Sequence, residues 1–427
     1  MTTSPSARCI SMVLEKQAFS LPLSVRSMVK RKSSLFSPRL QFILAGLFCA
    51  LGFFATQSAS AQSATADSQI DNHDASPKAP LIVTPKFGGQ ILGYAIDPSG
   101  TEGVLSESVT QTNGNNLAAT ETFSQSTGKI LNVVAKTDSQ DDFVTEGVFG
   151  STALILHQHS GKNFYEIMNP LEQNKFNGTW KPPIKPNFDF WTLAGTGSSP
   201  NVAAYQLSFE TGQTFVFGSN VANNTFGPQI SLAPIQNVDE FFQPSIAFDP
   251  TTNQAVLADS QGCPEPGCFM SIGLVNFSTG EVSQFSDDLG LGIVNGLALD
   301  PVNGIACTTT GSDEGVEFYN LAEQSGFEVI IPNNFATPLD SGLSVAFDPV
   351  HTLFLVSQWS SNGGNTDNPE PRIYVYNEQG TVEETINLER IPISPVPIVL
   401  NPSNRVGFVM LIAEGQSAFT RLQSFSY

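Results

Sequence analysis

Basic residues are scarce in this chain. Nineteen Lys and Arg stand against 39 Asp and Glu, and the four charged types make up only 14% of 427 residues. Seven of the 19 cations fall within residues 1–61, with a single acid. The remainder carries 12 basic and 38 acidic residues, a net charge of −26. Such a surface repels nucleic-acid phosphates and anionic lipid headgroups, which excludes both as expected partners. Histidine is scarce too, at four, so a three-histidine metal site has few candidates. Apolar residues at helical spacing are almost missing beyond Pro80, which excludes a helical bundle. Also missing are a Gly-x-Ser-x-Gly elbow, a P-loop, a His-Glu-x-x-His pair and the Cys-x-x-Cys-His of covalent haem.

Long apolar runs are limited to one, Leu40 to Ala55. Arg26, Lys30, Arg31, Lys32 and Arg39 precede it, and Ala59-Ser60-Ala61 follows. This is the order of a secretory signal, with cleavage after Ala61 and a periplasmic or extracellular destination. The rival reading is an uncleaved N-terminal anchor, although the run falls short of the roughly 20 residues of a bilayer span. The basic region is long, and Met28 is a plausible true start. Residues 62–79 are polar and aperiodic, and read as a flexible linker. Residues 80–427 are then one domain, expected to be monomeric and without a membrane span once the signal is gone.

Cysteine is sparse, at five. Cys9 and Cys49 lie in the signal segment. Cys263 and Cys268 flank a Pro- and Gly-containing loop, where an oxidising compartment favours a local disulfide; half of a zinc site is the alternative. Cys307 reads as a small buried strand residue.

What is plentiful is Phe (32), Gly (35) and Pro (28). Short apolar or alternating runs are separated by Gly, Pro, Asn and Asp, the pattern of strands and turns. A strand ending in Asp-Pro or Asn-Pro recurs: Tyr94-Ala-Ile-Asp97-Pro98, Ile246-Ala-Phe-Asp249-Pro250, Leu297-Ala-Leu-Asp300-Pro301, Val345-Ala-Phe-Asp348-Pro349 and Ile398-Val-Leu-Asn401-Pro402. The later four are 51, 48 and 53 residues apart, and the first lies three such periods ahead. Two degenerate repeats fill that gap, one around Gly147–Leu156 and one holding Trp191-Thr-Leu and Val202–Leu207.

Each clear repeat has room for four strands, with an Asp-capped, Pro-fixed turn after the first and a Gly-containing turn before the last. Four strands in about 50 residues make a propeller blade. The last repeat has room for three strands only, and Pro80–Thr84 is a spare strand ahead of the first. Pairing the two closes a ring and removes its open edges. The expectation is an all-β propeller of seven four-stranded antiparallel blades; six is the alternative if the degenerate repeats merge.

The units Gly296–Pro301 and Ser344–Pro349, each followed by an apolar strand and a strand like Ile373-Tyr-Val-Tyr376, resemble those of NHL, YVTN and SMP-30/gluconolactonase propellers. The resemblance covers residues 80–427 as architecture. Residues just before each innermost strand face the channel of such a ring, and here they include Glu146, Gln243, Asn295 and Asp340. The lactonase relatives hold one divalent metal with a Glu, an Asn and an Asp in that chain order. By that resemblance Glu146, Asn295 and Asp340 would ligate Ca²⁺ or another divalent metal, with Asp340 as catalytic base on a lactone.

His157 and His159 share one strand face and so can both reach a metal, but without a third His they read as surface residues. The acidic stretches 138–142, 286–290 and 312–315 read as solvated turns or loose Ca²⁺ contacts, and none fits an EF-hand. The long loop Trp359–Pro369 offers a contact surface, or packs its own Trp. The leading expectation is an exported, non-catalytic propeller binding a protein, glycan or small ligand, with the metal-dependent lactonase as the alternative.

Overall fold

The computed structural model describes residues 57–58 and 79–427, except 99, 112–114, 138–140, 160–161, 172, 174, 184–189, 209–210, 212, 233–244, 262–268, 292–293, 311–314, 331–343, 358–371, 390–396 and 413–418. Two short strands come first, β1 (Gln57–Ser58) and β2 (Ile82–Val83). Blade 1 is β3 (Gln90–Ile96), β4 (Glu102–Thr110), β5 (Asn116–Ser124) and β6 (Ile130–Thr137). Blade 2 is β7 (Asp142–Phe149), β8 (Thr152–His159), β9 (Lys162–Met168) and β10 (Gly178–Trp180). In blade 3, β11 (Phe190–Thr196), β12 (Asn201–Leu207) and β13 (Thr214–Asn220) are followed by a split outer strand, β14 (Thr225–Phe226) and β15 (Ile230–Ser231), both paired to β13.

Blade 4 is β16 (Ser245–Asp249), β17 (Gln254–Gln261), β18 (Phe269–Asn276) and β19 (Val282–Leu291). Blade 5 is β20 (Val294–Asp300), β21 (Ile305–Thr310), β22 (Gly315–Asn320) and β23 (Ser325–Ile330). Blade 6 is β24 (Ser344–Asp348), β25 (Leu353–Ser357), β26 (Arg372–Tyr376) and β27 (Val382–Asn387). Blade 7 takes β28 (Ile398–Asn401), β29 (Val406–Ile412) and β30 (Phe419–Ser426) from the C-terminal end of the chain.

The fourth strand of blade 7 is β2. It runs antiparallel to β30, with Ile82 opposite Gln423 and Val83 opposite Leu422. The Leu81 N–H donates to Ser424 Oγ at 2.7 Å, and the Ser424 N–H returns to the Leu81 carbonyl at 2.9 Å. The expected closure is therefore the observed one. The innermost strands touch in a closed cycle, β3, β7, β11, β16, β20, β24, β28 and back to β3. Seven blades, not six, make the ring. β1 falls within the segment expected to be a signal. It lies parallel to the innermost strands β11 and β24 and so links blades 3 and 6.

The core is a set of layers between blades. Phe149, Tyr165 and Trp180 of blade 2 meet Val202, Phe217 and Val221 of blade 3. Tyr205 and Val216 meet Phe248 and Phe277 across the next gap, and Phe318 meets Phe347, Phe354 and Tyr376 further round. Flat rings fill these layers with large apolar area, which is why Phe is abundant. Where backbones approach, glycine is required: a Cβ on Gly93 of β3 would lie 2.4 Å from the Thr145 carbonyl oxygen of β7. Cys307 sits in a layer, fully buried, as the sequence implied. Among the described residues the only helical piece is a 3-10 turn, Pro402–Asn404, and no helix is long and apolar enough to cross a membrane.

The two ends of the ring differ. At one end, first and second strands are joined by tight turns. Asp249, Asp300 and Asp348 each accept the backbone N–H groups two and three residues on, at 2.8–3.3 Å. Each turn leaves through a left-handed residue: Asn253, Gly304 and Thr352. Third and fourth strands close at the same end through asparagines: Asn276, Asn320 and Asn377 likewise accept two N–H groups each. Most long connections between strands, including 232–244, 331–343, 358–371 and 388–397, join strands at the opposite end, while 169–177 between β9 and β10 lies at the Asp-Pro end.

Candidate functional site

Around the channel, among the described residues, three innermost strands carry a β-bulge directly before a glycine. The bulged residues are Leu92 in β3, Glu146 in β7 and Asn295 in β20. An extra residue bends its strand locally, and at Gly93 and Gly296 the missing Cβ lets the next blade come close, at Thr145 and Val345, while Gly147 makes room for the Phe149 ring. Glu146 and Asn295, paired by the sequence pattern, thus do occupy equivalent places.

Glu146 is 6% exposed, and its carboxyl is pushed up to about 8 by burial alone, with no opposing charge. It is a neutral acid at pH 7. Burial lifts the Tyr165 phenol, and a charge on nearby Glu146 adds to that. Among the described residues Glu146 belongs to no group of three His, Cys, Asp or Glu side chains within metal reach. The side chain of Asn295 and residues Asp340, Gln243, Cys263, Cys268 and Trp359 lie outside the described residues, as do 138–140 and 312–314 and the side chains of 286–290.

A second grouping lies at the loop-bearing end of blade 2. Asp141 immediately precedes β7, and His157 and His159 end β8. Asp141 Oδ2 is 2.8 Å from His159 Nδ1 and 3.9 Å from His157 Nε2. The Asp141 side chain is 9% exposed, those of His157 and His159 23% and 53%. His157 lies against Phe143, ring centres 4.5 Å apart, and its Nδ1 is 3.9 Å from Glu166 Oε1 on β9. His157 Nε2 is buried and has no hydrogen-bond partner.

The bulge at Glu146 makes this grouping. Phe149 pairs with Thr152 at the turn, but beyond the bulge the register slips by one, so Asp142 faces Gln158 and Phe143 faces His157. Asp141 then comes opposite His159. Without the slip the acid would stand on the other face of the sheet. Sequence reading found both histidines and the acidic stretch but not their meeting. Asp142 turns to blade 1, where its Oδ1 accepts the Ser108 hydroxyl at 3.0 Å; burial raises its carboxyl, and the Asp141 charge adds to that.

No family model matches the chain, and no curated protein matches it. Solved structures do. A chain of the mitotic checkpoint complex is 12% identical, aligned over 87% of this chain and 98% of its own, with a TM-score of 0.51. The WD40 repeats of RRP9 are 12% identical over 82% and 99%, with a TM-score of 0.51. A chain of the hydrazine synthase of Kuenenia stuttgartiensis is 9% identical over 81% and 97%, with a TM-score of 0.53. At such identity the likeness is one of fold, and a fold shared by assembly components and an enzyme alike does not fix an activity. The chain is a seven-bladed β-propeller of four antiparallel strands per blade, the architecture of WD40 proteins.

Proposed function

We propose that this chain is an exported, non-catalytic propeller that recognises a protein, glycan or small ligand on the end of the ring that bears its long connections. One observation carries the reading: the asymmetry of the two ends. Apart from 169–177 in blade 2, the Asp-Pro end is built of short turns that leave little to vary. Most long connections, among them the Trp-containing 358–371, join strands at the other end of a rigid ring, and such loops are where recognition concentrates. Neighbouring folds that belong to protein assemblies support a protein as the partner. The signal-like segment 1–61 supports a periplasmic or extracellular setting. The net acidity of the rest supports a neutral or cationic ligand over a polyanion.

Chimaeras test this. Replacing 358–371 and 331–343 with short Gly-containing turns is expected to leave the melting temperature within a few degrees of the parent and to abolish binding to whatever glycan-array or proteomic ligand the parent retains. Shortened Asp-Pro turns would cost stability with binding unchanged. A metal-dependent lactonase of the SMP-30/gluconolactonase kind, using Glu146, Asn295 and Asp340, predicts instead turnover in a lactone screen that EDTA and Glu146→Gln both abolish. Such turnover would replace the binding reading.

A further inference from the structure

We propose that Asp141, His157 and His159 form a binding site for a first-row divalent metal ion such as Zn²⁺, open at its fourth position to solvent or ligand. The ligand atoms are Asp141 Oδ2, His157 Nε2 and His159 Nδ1, which all lie within 4.8 Å of one another. Tetrahedral zinc with bonds of about 2.0–2.1 Å sets its ligand atoms about 3.3 Å apart. The observed 2.8 and 3.9 Å bracket that value, so rotation of one ring and one carboxylate suffices.

Three observations point to an ion and not to a hydrogen-bonded cluster alone. His157 Nε2 is buried, aimed toward Asp141 and unpartnered, and a buried ring nitrogen left unpaired costs free energy that a metal bond would recover. The other nitrogen of the same ring faces the Glu166 carboxylate at 3.9 Å. A small rotation of either side chain would bring the two to the hydrogen bond by which a carboxylate orients a metal-bound imidazole and fixes its tautomer. The charge is also right: Asp141 and Glu166 place two acids beside two imidazoles.

Two nitrogens and one carboxylate oxygen suit Zn²⁺, Ni²⁺ or Cu²⁺ and disfavour Ca²⁺, which takes oxygen alone. His159, half exposed, provides the way in, and the site faces the same end of the ring as the long connections. An ion there would let a ligand bound on that face supply the fourth donor. The assignment does not depend on the binding reading above.

The experiment is calorimetric titration of the chelator-treated full chain with ZnCl₂, followed by Co²⁺ absorption spectroscopy. The expected result is one Zn²⁺ per chain and Co²⁺ bands of a four- or five-coordinate ion. His159→Gln and Asp141→Asn should each weaken binding by at least about tenfold, and Glu166→Gln by about 10–100-fold. His351→Gln, remote in the Asp348 turn of blade 6, should leave binding unchanged. His157→Gln removes a ring packed on Phe143, so His159→Gln, at an exposed side chain, keeps the test independent of folding. Absence of saturable Zn²⁺ binding, undiminished binding in both His159→Gln and Asp141→Asn, or tighter binding of Ca²⁺ than of Zn²⁺ would overturn the assignment.

Discussion

Glu146 is a carboxyl group placed where ionisation is expensive. Its value rises from 4.5 to about 8 in the folded chain. Between those two values the folded state holds a proton that the unfolded state has released. The associated stability is whole below pH 4.5 and is gone once the pH passes 8. The slope is at most about 1.4 kcal/mol per pH unit for one such group. Urea midpoints of the parent should therefore fall from pH about 5 to about 8, and Glu146→Gln should flatten the decline. An unchanged slope in the variant would show that the acid is ionised throughout. Thr352 offers the opposite kind of test. It is β-branched, yet it sits at φ 58°, where its counterpart in blade 4 is Asn253 at φ 56°. Left-handed backbone costs an L-residue about 1–2 kcal/mol and is tolerated best by Asn. Thr352→Asn should raise the unfolding free energy by about 1 kcal/mol, read by urea denaturation. At this scale much of the candidate site stayed hidden in the sequence. The histidines announced themselves by alternation on one strand. Asp141 did not, because its place opposite His159 depends on a one-residue slip at Glu146 that no local pattern records.

At the scale of the element, the Asp-Pro strand ends and the spare strand before the first repeat were legible because each has a mechanism. A carboxylate that accepts two N–H groups and a proline that fixes φ must recur wherever the same turn recurs. Blades 2 and 3 hid because their turns use other chemistry. The first is closed by Gly150 at φ 58°, and the second packs Gly197 against Pro98 of blade 1. The asparagines that cap the third strands went unread, since Asn is too common in turns to stand out. β2 is the element whose loss should matter most. It buries Val83 completely and covers the edge of β30. Of two chains that both lack β1, one beginning at Gln62 and one at Pro85, the second should be less stable by at least the roughly 1.5–3 kcal/mol of a buried valine. The shorter chain should also self-associate through the bared strand, visible by light scattering. Equal melting of the two truncations would mean that β2 contributes nothing to closure.

As a whole molecule the chain is an acidic ring, with a formal charge of −20 over its full length. Self-repulsion on that scale opposes compaction and is screened over about 10 Å at 0.1 M salt. The melting temperature should rise with NaCl from low ionic strength, most steeply in the first tenth of a molar. A flat or falling trend would mean that the acids are already compensated by bound cations or by paired hydrogen bonds such as those from Phe87 and Gly89 to Glu107. The seam between β2 and β30 adds a constraint of time. The two strands are separated by nearly the entire length of the polypeptide, with Leu81 and Ser424 bonded across 343 positions. During synthesis the first strand has to wait, unpaired, until the ribosome releases the last. Six blades can assemble in order as they emerge, but the seventh belongs to both ends at once. A transcript cut short by even the final strand therefore yields not a smaller ring but an open one, exposed to proteases at its gap.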